Sequence, residues 1–137
     1  MTAGSIKILA KTRLKWSKEP DDGDYAAAAT YLSLVIPAGE VKGAVARFRR
    51  ATTTLHKPKD LERASGEELL PADDPLVKAE IKKSGKGKRL APALLVRGRL
   101  GQGRELLIAD GYHRICAGYH IDPKAAIPCR LVDVQVT

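Results

Sequence analysis

Past Arg89 the chain stops reading as helix and breaks into short apolar runs punctuated by glycine, and that switch constrains the fold more than any other feature. APALLVR (91–97) and RELLIA (104–109) are too short for helices, and GRLGQG (98–103) between them carries the glycines of a hairpin-like connection. IPCRLVDV (127–134) is a third run, in which Ile127, Cys129 and Leu131 alternate with Pro128, Arg130 and Val132. Between the second and third runs lies DGYHRICAGYHID (110–122), a helix that begins directly after a strand. The predicted order is strand, strand, helix, strand.

Upstream the pattern is helical. The alanine-rich stretch DYAAAATYLSLV (24–35) predicts a helix ending near Pro37, with Asp21, Asp22 and Asp24 where a helix N-terminus favours negative charge. A second helix is predicted from about Gly39 to Ala51, with Val41, Val45 and Phe48 as its apolar stripe and Arg47, Arg49 and Arg50 as a solvated C-terminal end. A short third helix follows Pro58. A fourth starts after Asp73 or Asp74, with Pro75 in its first turn and Leu76, Val77 and Ile81 available for burial. SIKILA (5–10) reads as a short strand or an ordered arm, and Trp16, Tyr25 and Tyr31 as core or rim aromatics. A chain of 137 residues predicts one domain, here of the α+β class, with a helical N-terminal portion over 1–75 and a core of small mixed sheet over 76–137.

Charge narrows the partner. The formal net charge is +8, and all of it is local. Between Lys78 and Arg104 stand nine basic residues and a single acid, Glu80, while the other 110 residues balance at 15 of each sign. Such a concentration predicts a polyanionic partner, either nucleotide or nucleic acid. Aromatics make up only 4% of the chain, which argues against a stacking platform for single strands. No apolar run reaches the roughly 18 residues of a membrane span, the N-terminus lacks a secretory leader pattern, and two cysteines do not make a disulfide scaffold. The expectation is a cytoplasmic protein with no membrane partner.

The chemistry concentrates at Asp110-Gly111-Tyr112-His113-Arg114. A helix N-terminus presents unpaired N–H groups and the positive end of its dipole, so a strand–glycine–helix junction receives phosphate readily. Gly111 lets the backbone approach, Arg114 offers a planar fork of donors, and His113 can donate to phosphate or move a proton near neutral pH. A tight turn with solvated His113 and Arg114 is the competing reading. Asp110 is the adjacent carboxylate, a candidate proton acceptor or a turn former. The glycine- and lysine-rich stretch Lys82 to Arg89 is a second candidate, with Lys86, Lys88 and Arg89 placed to clamp phosphate; a solvated turn is its alternative, and it does not match the P-loop pattern. His113, Cys116 and His120 share a helical face and, with Cys129, would make a legal zinc set, but buried packing of both thiols is the default and no metal site is assigned.

Three of these segments together resemble the ParB/sulfiredoxin superfamily. The pieces are Gly87-Lys88-Arg89-Leu90-Ala91-Pro92 leading into a strand, then Leu107-Ile108-Ala109-Asp110-Gly111-Tyr112-His113-Arg114, then the closing Ile127-Pro128-Cys129-Arg130-Leu131-Val132. The resemblance covers a third of the chain. It implies that Gly111, Tyr112, His113 and Arg114 line a phosphate pocket, with Lys86, Lys88 and Arg89 closing its other side. The implied ligand is ATP or CTP, with or without Mg2+. Sulfiredoxins carry a catalytic cysteine between the glycine and the histidine. Tyr112 stands there in this chain, so the resemblance does not extend to reduction of cysteine sulfinic acid. ParB proteins carry G-x-R-R where this chain has Gly111-Tyr112-His113-Arg114, and the helix-turn-helix domain that follows in them is not expected here.

The expectation is a nucleotide-phosphate-binding domain, with His113 and Asp110 as the candidate catalytic groups should hydrolysis, phosphotransfer or nuclease chemistry follow. The competing expectation is a non-catalytic accessory factor that binds DNA or a protein through the basic 78–104 segment. Homo-oligomerisation is left open.

Overall fold

The predicted helices are present, but the first stops at Leu32 rather than near Pro37. In the computed structural model, which describes residues 15–99 and 103–134, α1 (Asp22–Leu32) follows Asp21, whose N–H donates to the Asp24 carboxylate at 2.9 Å. After a turn through Ser33–Ile36, α2 (Ala38–Arg50) leaves Pro37. The short α3 (Pro58–Ser65) opens on its proline, and α4 (Pro75–Gly85) is capped by Asp74, whose carboxylate accepts from the Leu76 and Val77 N–H groups at 3.1 Å each. The C-terminal half supplies β2 (Ala93–Val96), β3 (Leu107–Asp110), α5 (Tyr112–Ile121) and β4 (Ile127–Val132). The predicted strand–strand–helix–strand series is present.

A fourth strand was not predicted. β1 (Thr53–His56) lies between α2 and α3 and pairs antiparallel with β4, Thr53 opposite Arg130 and His56 opposite Ile127. The portion expected to be mainly helical therefore also supplies a sheet edge. Thr-Thr-Leu-His shows no alternation of burial, and its Leu55 is exposed, so the strand is held by the backbone pairs that β4 offers rather than by an apolar face. Sheet order is β1-β4-β2-β3, with β2 antiparallel to β3 and parallel to β4. The parallel pairing requires a crossover, which α5 provides. The class is α+β, with a four-stranded mixed sheet.

Both faces of the sheet are covered. On one, Tyr25, Ala28 and Leu32 of α1 and Phe48 of α2 pack on Leu94, Val96, Ala109 and Val132. On the other, Leu61 of α3 and Ile115 of α5 pack on Ala93, Leu95, Ile108, Ile127 and Cys129. α4 lies outside α5 through Val77 against Cys116 and Ala117. Because β2 is buried on both sides, all four of its residues are apolar and inaccessible. Arg130 is the exception in this interior. It is buried on β4, and its guanidinium donates to the Phe48 and Arg49 carbonyls at 3.0 and 3.2 Å, satisfying the C-terminal end of α2. The predicted arm at 5–10 lies outside the described residues. Among the described residues no helix is long and apolar enough to cross a membrane.

Candidate functional site

The turn from β3 into α5 is built by two local devices. A bulge between β2 and β3 sets Leu94 opposite Asp110 but Leu95 opposite Ile108, leaving Ala109 as the extra residue. Ala109 packs with α1, and Asp110 follows it to the same side, against Asp24. Gly111 then turns the chain with φ +96° and becomes the N-cap of α5, a cap residue with no side chain of its own to bond the helix. A Cβ at this position would stand 2.9 Å from the Arg114 guanidinium and 3.0 Å from Ala93, so glycine is required both by its φ and by the closeness of β2.

Arg114 faces inward. Its side chain is only 13% exposed, and it donates to the Ala91 carbonyl at 2.9 Å, the Pro92 carbonyl at 3.2 Å and the Asp110 carboxylate at 2.9 Å, with Asp24 at 3.6 Å. This guanidinium joins three segments: the lead-in to β2, the end of β3 and the start of α1. Burial raises the Asp110 carboxyl above its ordinary value; Arg114 pulls it down and the facing Asp24 pushes it further up. Asp24 is the site residue that sequence reasoning missed. Its position near a helix start accounts for its charge fully, and nothing local signals that a bulge at Ala109, far along the chain, brings Asp110 to it.

His113 is half-buried, its ring 5.3 Å from that of Tyr112, and among the described residues no hydrogen bond engages it. The Tyr112 hydroxyl donates to the Glu68 carbonyl, which ties the turn to the segment before α4. Lys86, Gly87 and Lys88 close α4: the Gly87 N–H donates to Ser84 O at 2.9 Å and the Lys88 N–H to Lys83 O at 3.0 Å, with Gly87 at φ +78°. This is a Schellman cap, so the glycine serves the helix end. The side chains of Lys86 and Lys88 are exposed and no carboxylate pairs with them among the described residues, while Arg89 donates to the Trp16 carbonyl at 3.3 Å. Leu90 in turn bridges to Lys15 and Ser17.

The topology divides the basic stretch. Lys86, Lys88 and Arg89 lead into the end of β2 that lies against Gly111, while Arg97, Arg99 and Arg104 follow its other end, roughly 13 Å along the strand direction. Cys116 and Cys129 are buried, and burial pushes both thiols up, Cys129 to about 12. His120 bonds the Leu70 carbonyl at 2.7 Å, and the Leu70 N–H donates to Cys116 Sγ at 3.5 Å. Among the described residues no group of three or more His, Cys, Asp or Glu could hold a metal ion. Asp24 and Asp110 already face the Arg114 cation, a donor set unsuited to Mg2+.

No family model, curated protein or solved structure matches the chain.

Proposed function

We propose that this α+β domain is of the ParB/sulfiredoxin type and binds the phosphates of a nucleotide at the β3–α5 turn. The observation that carries this reading is the Arg114 strut. By holding the Ala91 and Pro92 carbonyls beside Asp110, it fastens the residues that follow the Lys86–Arg89 loop to the start of α5. An α-helix start capped by glycine and an imidazole without a hydrogen bond among the described residues stand at this turn, and two ammonium groups without a carboxylate partner among the described residues precede it on the loop that leads into β2. In this reading the ligands are the first amides of α5, His113, Lys86 and Lys88, and Arg114 is a positioning residue rather than a phosphate ligand. His113 is also the group best placed to move a proton, because Asp110 is committed to Arg114.

The test is calorimetric titration of the full chain with ATP and CTP, each with and without Mg2+. Saturable binding of one of them is expected, weakened at least tenfold in the Lys86→Ala/Lys88→Ala double variant and in His113→Ala. Wild-type protein that binds neither nucleotide, or binds with an affinity indifferent to these substitutions, overturns the reading.

A further inference from the structure

A hollow of about 770 Å³ opens beside α3 at the other end of β2, away from the Gly111 turn. Its floor is apolar, made by Leu61, Leu95, Leu106 and Leu131. Around it stand four arginines, Arg63 from α3 and Arg97, Arg99 and Arg104 from the β2–β3 connection. Guanidinium groups do not deprotonate in proteins, so these charges persist at any working pH.

Their partners leave charge uncompensated. Asp60 meets Arg63 at 3.7 Å and Asp133 meets Arg97 at 3.0 Å. Arg99 donates to the Val134 carbonyl and Arg104 to the Arg97 carbonyl at 3.3 Å, and among the described residues neither has a carboxylate within 4.0 Å. Glu105, the other acid on the rim, would lie 2.6 Å from a Cβ at Gly66, so its carboxylate is turned to the end of α3. Among the described residues Arg104 Nε has no hydrogen-bond partner, and it is closed off from the hollow. An open apolar hollow rimmed by guanidinium groups that no carboxylate meets among the described residues is a place where an organic anion belongs.

We propose that this hollow binds a small organic anion, a phosphate or carboxylate head on an apolar or planar body. The leucine floor takes the body, and the forks of Arg99 and Arg104 take the head. Free phosphate would leave the floor uncovered, and an uncharged body would leave the arginines unanswered. The site is separate from the Gly111 turn and does not rest on the reading of that turn.

The experiment titrates the full chain with 1-naphthyl phosphate, 1-naphthoate, inorganic phosphate and 1-naphthol, following naphthyl fluorescence and heat. At least one naphthyl anion is expected to bind saturably, at least tenfold tighter than both inorganic phosphate and 1-naphthol; comparison of the two anions identifies the head. Binding should weaken at least tenfold in Arg104→Gln and in Arg99→Gln, each checked for native melting so that one folded variant suffices, and should be unchanged in Lys86→Ala/Lys88→Ala. Absence of saturable binding by both naphthyl anions overturns the proposal. So does 1-naphthol binding as tightly as the anions, indifference to both arginine substitutions, or loss in the lysine variant.

Discussion

Replacing Arg114 by Met tests whether this guanidinium holds the fold or waits for a ligand. Methionine keeps much of the side-chain length and apolar contact but removes the charge and every donor. The Ala91 and Pro92 carbonyls lose their partner, and the largely buried Asp110 carboxylate is left facing Asp24 with no cation between them. Removing one member of a buried, hydrogen-bonded charge cluster costs about 3–5 kcal/mol. That is a large share of the roughly 5–15 kcal/mol available to a domain, and at a urea dependence of about 2 kcal/mol/M it moves the unfolding midpoint down by about 2 M. The deficit should depend on pH with a definite sign. Asp110 has a folded-state pKa above its unfolded value near 3.8, and loss of Arg114 raises it further. A group raised on folding contributes stability below its unfolded pKa and loses that contribution as pH rises through its folded pKa. The variant's deficit therefore widens from about pH 4 to pH 7 and narrows in acid. Adding Asp110→Asn removes the orphaned charge and should recover about 2 kcal/mol at pH 7. Urea unfolding followed by circular dichroism at pH 4 and pH 7 measures all three proteins. An Arg114→Met protein within about 1 kcal/mol of wild type, with no pH trend, would refute the reasoning and return the guanidinium to the role of a solvent-facing ligand.

Two further outcomes follow from the same geometry. Gly111→Ala introduces a Cβ at a φ of +96° and at 3.0 Å from the Ala93 backbone, and should lower stability by about 1–3 kcal/mol in the same urea assay; a neutral effect would mean that β2 does not approach the turn so closely. Both thiols are buried with their pKa values raised, Cys129 to about 12, so native protein at pH 8 should resist alkylation by iodoacetamide while denatured protein takes two labels by mass. Rapid labelling of either cysteine in the native state would contradict the packing described for it.

Much of the fold was legible because its signals are local. Pro58, Asp74 and Pro75 mark helix starts through backbone chemistry within a few residues, and each helix begins there. The glycine between β3 and α5 was legible for the same reason, since a strand entering a helix within one residue needs a positive φ. β1 was not legible. Its residues carry no apolar alternation, and what makes them a strand is the row of unpaired backbone groups along β4, some seventy residues later in the chain.

The candidate site divides in the same way. Which residues sit at the turn, that a helix N-terminus opens there, and that the surplus positive charge lies between Lys78 and Arg104 all follow from the order of residues alone. Which way those charges face was decided only in three dimensions. The bulge at Ala109 sets Asp110 against Asp24, and these two carboxylates with two carbonyls draw Arg114 inward. β2 passes through the middle of the basic stretch and separates the lysines and Arg89 that lead into it from Arg97, Arg99 and Arg104 that follow it. A side chain's type follows from the sequence, but its electrostatic partner is whatever the packed chain brings within a few ångströms, and both decisive contacts here join segments far apart in the chain.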